Sequence, residues 1–142
     1  MSPPFDYNHR EVNHHVTLWE LSGQPDALGW GNMLAAAHRF LVQHELRGKR
    51  TGIIIDPSEL VAIDAGLRRE AGQWRAEHMA LIANVVPCAC YVAKSAWLRG
   101  AITAIFWFAP PVIPVGVKAS RREAMHWIEA ELSGRVSAAA SR

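Results

Sequence analysis

The chain has 142 residues, which is the usual size of one domain and is long enough to bury a single core. Hydrophobic residues make up 50% of the sequence and charged residues 20%, a globular composition that excludes disordered and fibrous proteins. The formal net charge of +2 is too small to indicate nucleic-acid binding, which needs basic residues concentrated on one face.

The N-terminal third predicts a hairpin followed by a helix. The stretches Phe5 to His9 and His14 to Leu21 loosely alternate apolar and polar residues on either side of a polar turn, as two short antiparallel strands do. Asp26 is placed to cap a helix that runs to about Leu46, because the apolar residues of this stretch recur at helical spacing.

The centre of the sequence predicts a buried strand that leads into an amphipathic helix. Ile53 to Ile55 form a β-branched run, which is typical of a strand covered on both faces. We expect this strand to end at Asp56 and Pro57, and a short loop to lead to a helix that starts at Asp64. One stripe of this helix faces the core and consists of Leu67, Ala71, Trp74, His78 and Leu81.

The second half predicts two more strands around a third helix. Val85 to Ala93 is an apolar run that fits a buried strand, and Ser95 can cap a helix from Ala96 to about Ala109. Val112 to Val117 form the last strand. Pro114 has no N–H to donate, so we expect this strand at an edge of the sheet or at a bulge.

A capping box starts the final helix. Ser120 and Glu123 have the spacing at which the two side chains satisfy free amides at a helix start. We expect the helix to end before Gly134, because glycine commonly follows the last turn of a helix. The sequence therefore predicts one domain over residues 1–134 and a flexible tail over residues 135–142.

The longest uncharged stretch, Ala101 to Val117, suggests a membrane span at first sight. It contains three prolines and is shorter than the roughly 20 apolar residues that a spanning helix needs. A core helix followed by a strand therefore fits better. We expect no transmembrane segment, and the apolar circumference of the helix indicates that it is covered on more than one side.

The cysteines and the N-terminus favour a cytoplasmic protein. Cys88 and Cys90 lie two residues apart on a predicted strand, where they pack as buried thiols. They have no second ligand pair nearby in the sequence, so we expect neither a metal nor a cofactor. The first twelve residues lack the apolar core of a signal peptide.

The order of elements and the segment IIIDPSELVAIDAGLRR resemble the STAS domains, and especially the SpoIIAA-like (STAS/SEC14-like) group. In that family a buried strand leads to an Asp-Ser-Gly-Leu type motif at a helix start, and Asp64 to Leu67 occupy that place here. The resemblance covers roughly His14 to Leu132. It implies an α/β domain with a mixed, mostly parallel sheet of about five strands and about four helices, and it implies a bacterial regulatory protein.

The resemblance also implies a partner-binding site at the motif, with one departure. Phospho-switched members carry Ser or Thr at the position of Ala65, which has no hydroxyl to phosphorylate. Ser58, on the preceding loop, is the nearest candidate for phosphorylation, although a serine after Asp-Pro is also a common turn residue. The partner-binding residues implied at the helix start are Asp64, Gly66 and Arg68.

The aromatic helix is the second candidate contact surface. If the sheet covers one side of this helix, some of its aromatic side chains, which include Trp97, Phe106 and Trp107, must still find cover, and exposed aromatic clusters usually mark contact sites. Arg99 lies between them and is a residue type frequent at binding hot spots. These four residues complete our list of candidate partner-binding positions.

Three functions remain open at this stage. The first is a non-catalytic regulatory or scaffolding module that binds another protein or itself. The second is a carrier or sensor of an apolar small molecule such as a lipid, as the SEC14-like side of the resemblance implies, with the aromatic helix lining the pocket. The third is an enzyme that uses Asp56, Asp64 and His78; we do not favour it, because the sequence contains no hydrolase, metalloprotease or nucleotide-binding motif.

Overall fold

Five strands and five helices form the part of the chain that the computed structural model describes, which is residues 2–140, with side chains described through residue 134. Along the sequence these are β1 (Asp6–Asn13), β2 (Val16–Gly23), α1 (Ala27–Leu46), β3 (Gly52–Leu60), α2 (Ala65–Glu77), α3 (Met79–Val85), β4 (Ala89–Val92), α4 (Ala96–Phe108), β5 (Val115–Lys118) and α5 (Arg121–Ala140).

The five strands form one mixed sheet in the order β1-β2-β3-β4-β5. β1 and β2 pair antiparallel, which confirms the predicted hairpin, and every other neighbouring pair is parallel. β5 lies at an edge, which is one of the two placements expected from Pro114, but it begins at Val115 rather than at Val112. Pro114 precedes the strand, and its carbonyl accepts a hydrogen bond from the amide of Ala89 at 3.0 Å. The predicted α/β class and sheet are therefore correct.

The central strand does not end at Asp56 and Pro57. β3 continues to Leu60, and its pairing with β2 shifts register where Glu20 faces Asp56 but Ser22 faces Glu59. This shift is a bulge. Residues at a bulge lie outside the hydrogen-bonded ladder, so Pro57 can belong to the strand although it has no N–H to donate. The predicted loop is therefore shorter than we expected.

The helix count and two boundaries also differ from the prediction. The predicted helix stripe through His78 and Leu81 is split, because His78 leaves the helical conformation and separates α2 from α3. Val85 ends α3, so the strand we expected from Val85 begins only at Ala89. There are consequently five helices rather than four.

The start of the last helix is as predicted and its end is not. The amide of Glu123 donates to the hydroxyl of Ser120 at 3.1 Å, while the Glu123 carboxylate accepts from the amide of Ala119 at 3.2 Å. The helix passes through Gly134 and continues to Ala140. Ser141 and Arg142 lie outside the described residues, and the mobility of the tail stays a prediction.

The sheet separates two cores. On one face, α5 packs on β3, β4 and β5 and covers a cluster centred on Ile54, Cys90 and Ile128. On the other face, α1, α2, α3 and α4 cover a larger, aromatic cluster that includes Trp19 and Ile53. Neighbouring strand residues thus point to opposite cores, as the alternation of a strand requires.

Candidate functional site

The larger core encloses a cavity of about 190 Å³ between the sheet and helices α1 to α4. Its wall is almost entirely apolar. The lining residues are Trp19, Leu21, Trp30, Met33, Leu34, Ala37, Phe40, Leu41, Ile53, Ile55, Ala71, Trp74, Arg75, Ile82, Val86, Ala89, Tyr91, Ile105, Ile113 and Val115. Five of these side chains are aromatic, and such large, rigid rings leave space between them unfilled when their shapes do not match.

One side of the cavity is much better covered than the other. The lining residues of β2 and most of those of α1 are buried, including Trp19, Trp30 and Phe40. Those contributed by α3, by the C-terminal turns of α2 and α4, and by residues 113–115 retain accessible surface. The less covered side of the cavity is therefore formed by α2, α3, α4 and the segment before β5, and we take this side as the access route.

Arg75 is the one charged side chain among the lining residues that the structure describes. Its Nη1 donates to the carbonyl of Ala109 at 2.7 Å, and its guanidinium carbon lies 4.2 Å from the centre of the Phe106 ring. Burial lowers the pKa of this guanidinium, although an arginine remains charged at neutral pH. The ion pairs found among the described residues do not include Arg75.

Tyr91 lies on the same wall as Arg75. Its ring meets Phe106 edge to face, with 5.5 Å between ring centres. Burial raises the pKa of Tyr91, and the charge of Arg75 acts on it in the opposite direction, which places the two side chains near each other. The side chain nevertheless keeps some accessible surface, and we attribute this to the cavity that it lines.

A buried hydrogen-bond donor without a partner belongs to the covered side of the cavity. The indole N–H of Trp30 has no acceptor among the described residues, while the whole side chain is only 3% exposed. Leaving such a group unpaired costs about 1–3 kcal/mol. The wall of the cavity therefore contains one buried donor that the described residues leave unpaired.

The aromatic residues of α4 divide between the cavity side and solvent. Ile105 lines the cavity and Phe106 packs on Arg75 and Tyr91. Trp107 is 80% exposed, and Trp97 is 44% exposed. The two tryptophans lie ten residues apart, which is about 15 Å along a helix, so they do not form one patch.

The motif at the start of α2 is a helix cap on the surface. Asp64 accepts a hydrogen bond from the amide of Leu67 at 2.9 Å, as an N-cap residue does. Asp64 and Gly66 are exposed, and Arg68 is half-buried. Arg99 is also exposed, and its Nη1 donates to the carbonyl of Ala93 at 3.3 Å. These positions are accessible to a partner, and their role stays a prediction.

Ser58 belongs to an ion network of charged side chains at the edge of the sheet face that α5 covers, on the other side of β3 from the cavity. Its hydroxyl donates to the Asp56 carboxylate at 2.5 Å, and Arg121 donates to the same carboxylate and to Glu20. Burial opposes ionisation of Asp56, but hydrogen bonds from Ser58 and Arg121 lower its pKa overall. Phosphorylation of Ser58 would bring a second negative charge to this carboxylate. We expect it to separate Ser58 from Asp56.

The three residues considered for catalysis lie in different places. Asp56 is held in the ion network, and Asp64 caps α2 at its start. His78 follows the other end of α2, about 20 Å away along 13 residues, where it stacks on Trp74 and its Nδ1 lies 2.6 Å from the carbonyl of Trp74. These three side chains therefore do not form a common constellation.

The described residues contain no group of three His, Cys, Asp or Glu side chains able to hold a metal ion. Within the same residues, no helix combines the length and hydrophobicity needed to cross a membrane. Burial raises the pKa of the Cys90 thiol to about 11, so this thiol is protonated at neutral pH.

The arrangement of sheet and helices matches a known fold. Four chains of solved structures match this chain, and one of them is an uncharacterized protein of the DUF3478 family with a SpoIIAA-like fold from Shewanella loihica PV-4. The TM-score is 0.62 at 12% sequence identity, and the match covers 88% of this chain and 94% of that chain. The protein therefore has a SpoIIAA-like fold, as the sequence resemblance predicts.

The other comparisons give no match. No protein-family model matches the chain, and no curated protein matches it. The similarity thus establishes the fold, and the function has to be argued from the site.

The sequence did not reveal the cavity or the two polar groups in its wall. Arg75 is one of several charged residues beside the apolar stripe of α2, and nothing in its spacing distinguishes it from a solvated cation. In the sequence, Tyr91 is one residue of a predicted apolar strand. A weak signal of its role in the cavity wall is that it is the one hydroxyl-bearing residue in the run from Val85 to Ala93.

Proposed function

We propose that this protein is a carrier or sensor of an apolar small molecule, which it holds in the cavity between the sheet and α1 to α4. The observation that carries the proposal is the cavity itself: about 190 Å³ with an almost wholly apolar wall. Apolar, concave and largely preformed spaces of this kind are the usual sites of small-molecule ligands.

The size of the cavity limits the ligand. A cavity of about 150 Å³ lined by aliphatic and aromatic residues stays dry and binds benzene. By this comparison, the space here holds a hydrocarbon group of about six to eight carbon atoms. A longer chain would have to extend past the less covered side of the cavity.

The test fills the cavity without disturbing the fold. Ala37 lies on α1 in the cavity wall, and leucine is a good helix former, so Ala37→Leu should fold normally and take up part of the free space. Titration with 1-octanol, followed by tryptophan fluorescence, should show saturable binding to the unmodified protein. We expect at least a tenfold loss of affinity in the variant.

The matched control is Ala35→Leu, which makes the same change at an exposed position of the same helix. We expect this variant to bind octanol as the unmodified protein does. If the unmodified protein does not bind octanol, or if Ala37→Leu and Ala35→Leu bind it equally well, the cavity is not a ligand site and the proposal is wrong.

A second function is favoured by a separate observation, the 80% exposure of Trp107 at the end of α4. A large aromatic side chain left in water is typical of a residue that another surface covers. We therefore also propose that the end of α4 is a contact surface of a regulatory or scaffolding module, and that it acts through a protein partner or a second copy of the chain.

This second proposal is tested by sedimentation of Trp107→Ala against the unmodified protein. The side chain contributes little to the core, so the variant should remain folded. We expect self-association to weaken measurably across a concentration series. A protein that is monomeric at all concentrations argues against the homo-oligomer, and equal association of the two chains places the contact elsewhere.

A further inference from the structure

Arg75 is an unusual residue in the wall of an apolar cavity. It lies on α2, among lining side chains that otherwise carry no charge, and its guanidinium is partly buried between Phe106 and the carbonyl of Ala109. A charge in such surroundings loses hydration, and this loss is normally offset by a counter-ion. Among the residues that the structure describes, no carboxylate forms an ion pair with Arg75.

The hydrogen-bonding capacity of this wall is largely unused. A guanidinium has five N–H donors, and the described residues provide an acceptor for one of them, the carbonyl of Ala109. The Tyr91 hydroxyl lies on the same wall and is another donor, for which no acceptor is found among the described residues. Two side chains with free donors, Arg75 and Tyr91, therefore adjoin the cavity on the side of its access route.

We propose that the ligand of this cavity is an amphipathic monocarboxylate, with a hydrocarbon tail in the apolar space and its carboxylate paired with Arg75 and Tyr91. This inference rests on the proposed small-molecule function and specifies its ligand class. The tail length that the volume accommodates is about six to eight carbons.

A carboxylate matches this wall better than other head groups do. The planar guanidinium fork binds a carboxylate through two parallel hydrogen bonds, and Nη1 is only partly occupied by Ala109. One arginine balances the single charge of a carboxylate, whereas a phosphate monoester would bring a second charge that no other lining residue balances. An ammonium head would be repelled by Arg75.

The test compares ligands of equal tail length in one fluorescence titration. Trp19, Trp30 and Trp74 line the cavity and report its occupation. The probes are sodium octanoate, 1-octanol and octyl phosphate at neutral pH. We expect the unmodified protein to bind octanoate at least about tenfold more tightly than octanol, because hydrogen bonds to charged groups are the strong ones, and more tightly than octyl phosphate.

The variants assign this preference to Arg75. Arg75→Gln keeps a donor for the carbonyl of Ala109 but removes the charge, so it should lose the preference for octanoate over octanol. Arg99→Gln is the matched control, because Arg99 also donates to a carbonyl but lies outside the cavity wall. We expect it to bind octanoate normally.

The outcomes separate the two proposals. Equal binding of octanoate and octanol, or tighter binding of octyl phosphate, overturns the carboxylate assignment and leaves the apolar site standing. Absence of binding by all three probes overturns both proposals.

Should Arg75→Gln fail to fold, the probe comparison on the unmodified protein still decides. In that case Arg75→Lys, which keeps the charge but not the planar fork, should retain tighter binding of octanoate than of octanol and bind octanoate more weakly than the unmodified protein.

Discussion

The two faces of the sheet are packed in different ways, although they are built from the same five strands. A single helix, α5, covers one face, and Cys90, Ala124 and Ile128 there have no accessible surface. Glycines permit this close approach: a Cβ at Gly52 would lie 3.1 Å from Cγ2 of Ile128, and one at Gly116 would lie 2.9 Å from the Trp127 ring.

The other face carries four helices and large aromatic residues, and it leaves a cavity of about 190 Å³. One helix can adjust its distance to a sheet until the gap closes, whereas four helices that also contact each other cannot all do so. Under the proposed function, the α5 face stabilises the fold and the opposite face holds the ligand.

The largest expected effect tests this difference with neighbouring residues of β3. Ile54 faces α5 and Ile53 faces the cavity. Ile54→Ala removes atoms that are packed on all sides and should cost about 4 kcal/mol of unfolding free energy, whereas Ile53→Ala enlarges an existing gap and should cost about 2 kcal/mol. Urea unfolding measures both. Equal costs would show that the two faces are packed equally well.

The next effect concerns the ion network at the edge of the α5 face. Asp56→Asn removes the carboxylate that Ser58 and Arg121 contact, and we expect a loss of about 1–3 kcal/mol at neutral pH. The partial exposure of Arg121 keeps this value below that of a fully buried pair. Glu59→Gln, at an exposed position of the same strand, is the control and should change stability by less than about 0.5 kcal/mol.

The same network predicts a pH dependence. The folded pKa of Asp56 is lowered relative to the unfolded chain, so its contribution is fully present above the unfolded value of about 3.9 and is lost as the pH falls through the folded value. The stability difference between the unmodified protein and Asp56→Asn should therefore shrink below about pH 4. A difference that is constant down to pH 2 would contradict the assigned role of the carboxylate.

Much of this fold follows from local patterns in the sequence. The caps at Asp26, Asp64, Ser95 and Ser120 were predictable because each is a contact within one turn of chain. The mixed, mostly parallel sheet followed from the STAS resemblance, and Pro114 predicted an edge or a bulge for the last strand, which lies at an edge.

The sequence-based predictions are wrong where the partner of a residue is distant in the sequence. Pro57 does not end β3 because the pairing of β3 with β2 contains a bulge at this point, and no local pattern near Pro57 predicts that bulge. The cavity arises because four helices do not fill the space above the sheet. The contacts that distinguish Arg75 from a solvated cation are made with Phe106 and Ala109, more than thirty residues away. Sequence patterns predict which face of an element is buried, but not whether the buried faces fill the space between them.

The smallest effects concern the contact between α2 and α4, which forms the outer wall on the cavity side. Gly72 lets the two helices approach, since a Cβ there would lie 2.4 Å from the Cβ of Phe108. Gly72→Ala should therefore destabilise the protein by about 1–2 kcal/mol, despite the better helix propensity of alanine. Gly100→Ala on α4 is the matched change, because apart from the nearby backbone of its own helix nothing lies within 4 Å of the added methyl group.

We expect Gly100→Ala to stabilise the protein by up to about 1 kcal/mol, which is the propensity difference alone. The comparison matters for the ligand site, because Gly72→Ala pushes α4 away from α2 beside the access route while Gly100→Ala leaves it in place. Thermal unfolding shows whether each substitution raises or lowers the stability. Octanoate titration should show weaker binding only for Gly72→Ala. If both substitutions stabilise the protein and bind octanoate equally, the close α2–α4 contact does not control the wall of the cavity, and the access route must lie elsewhere.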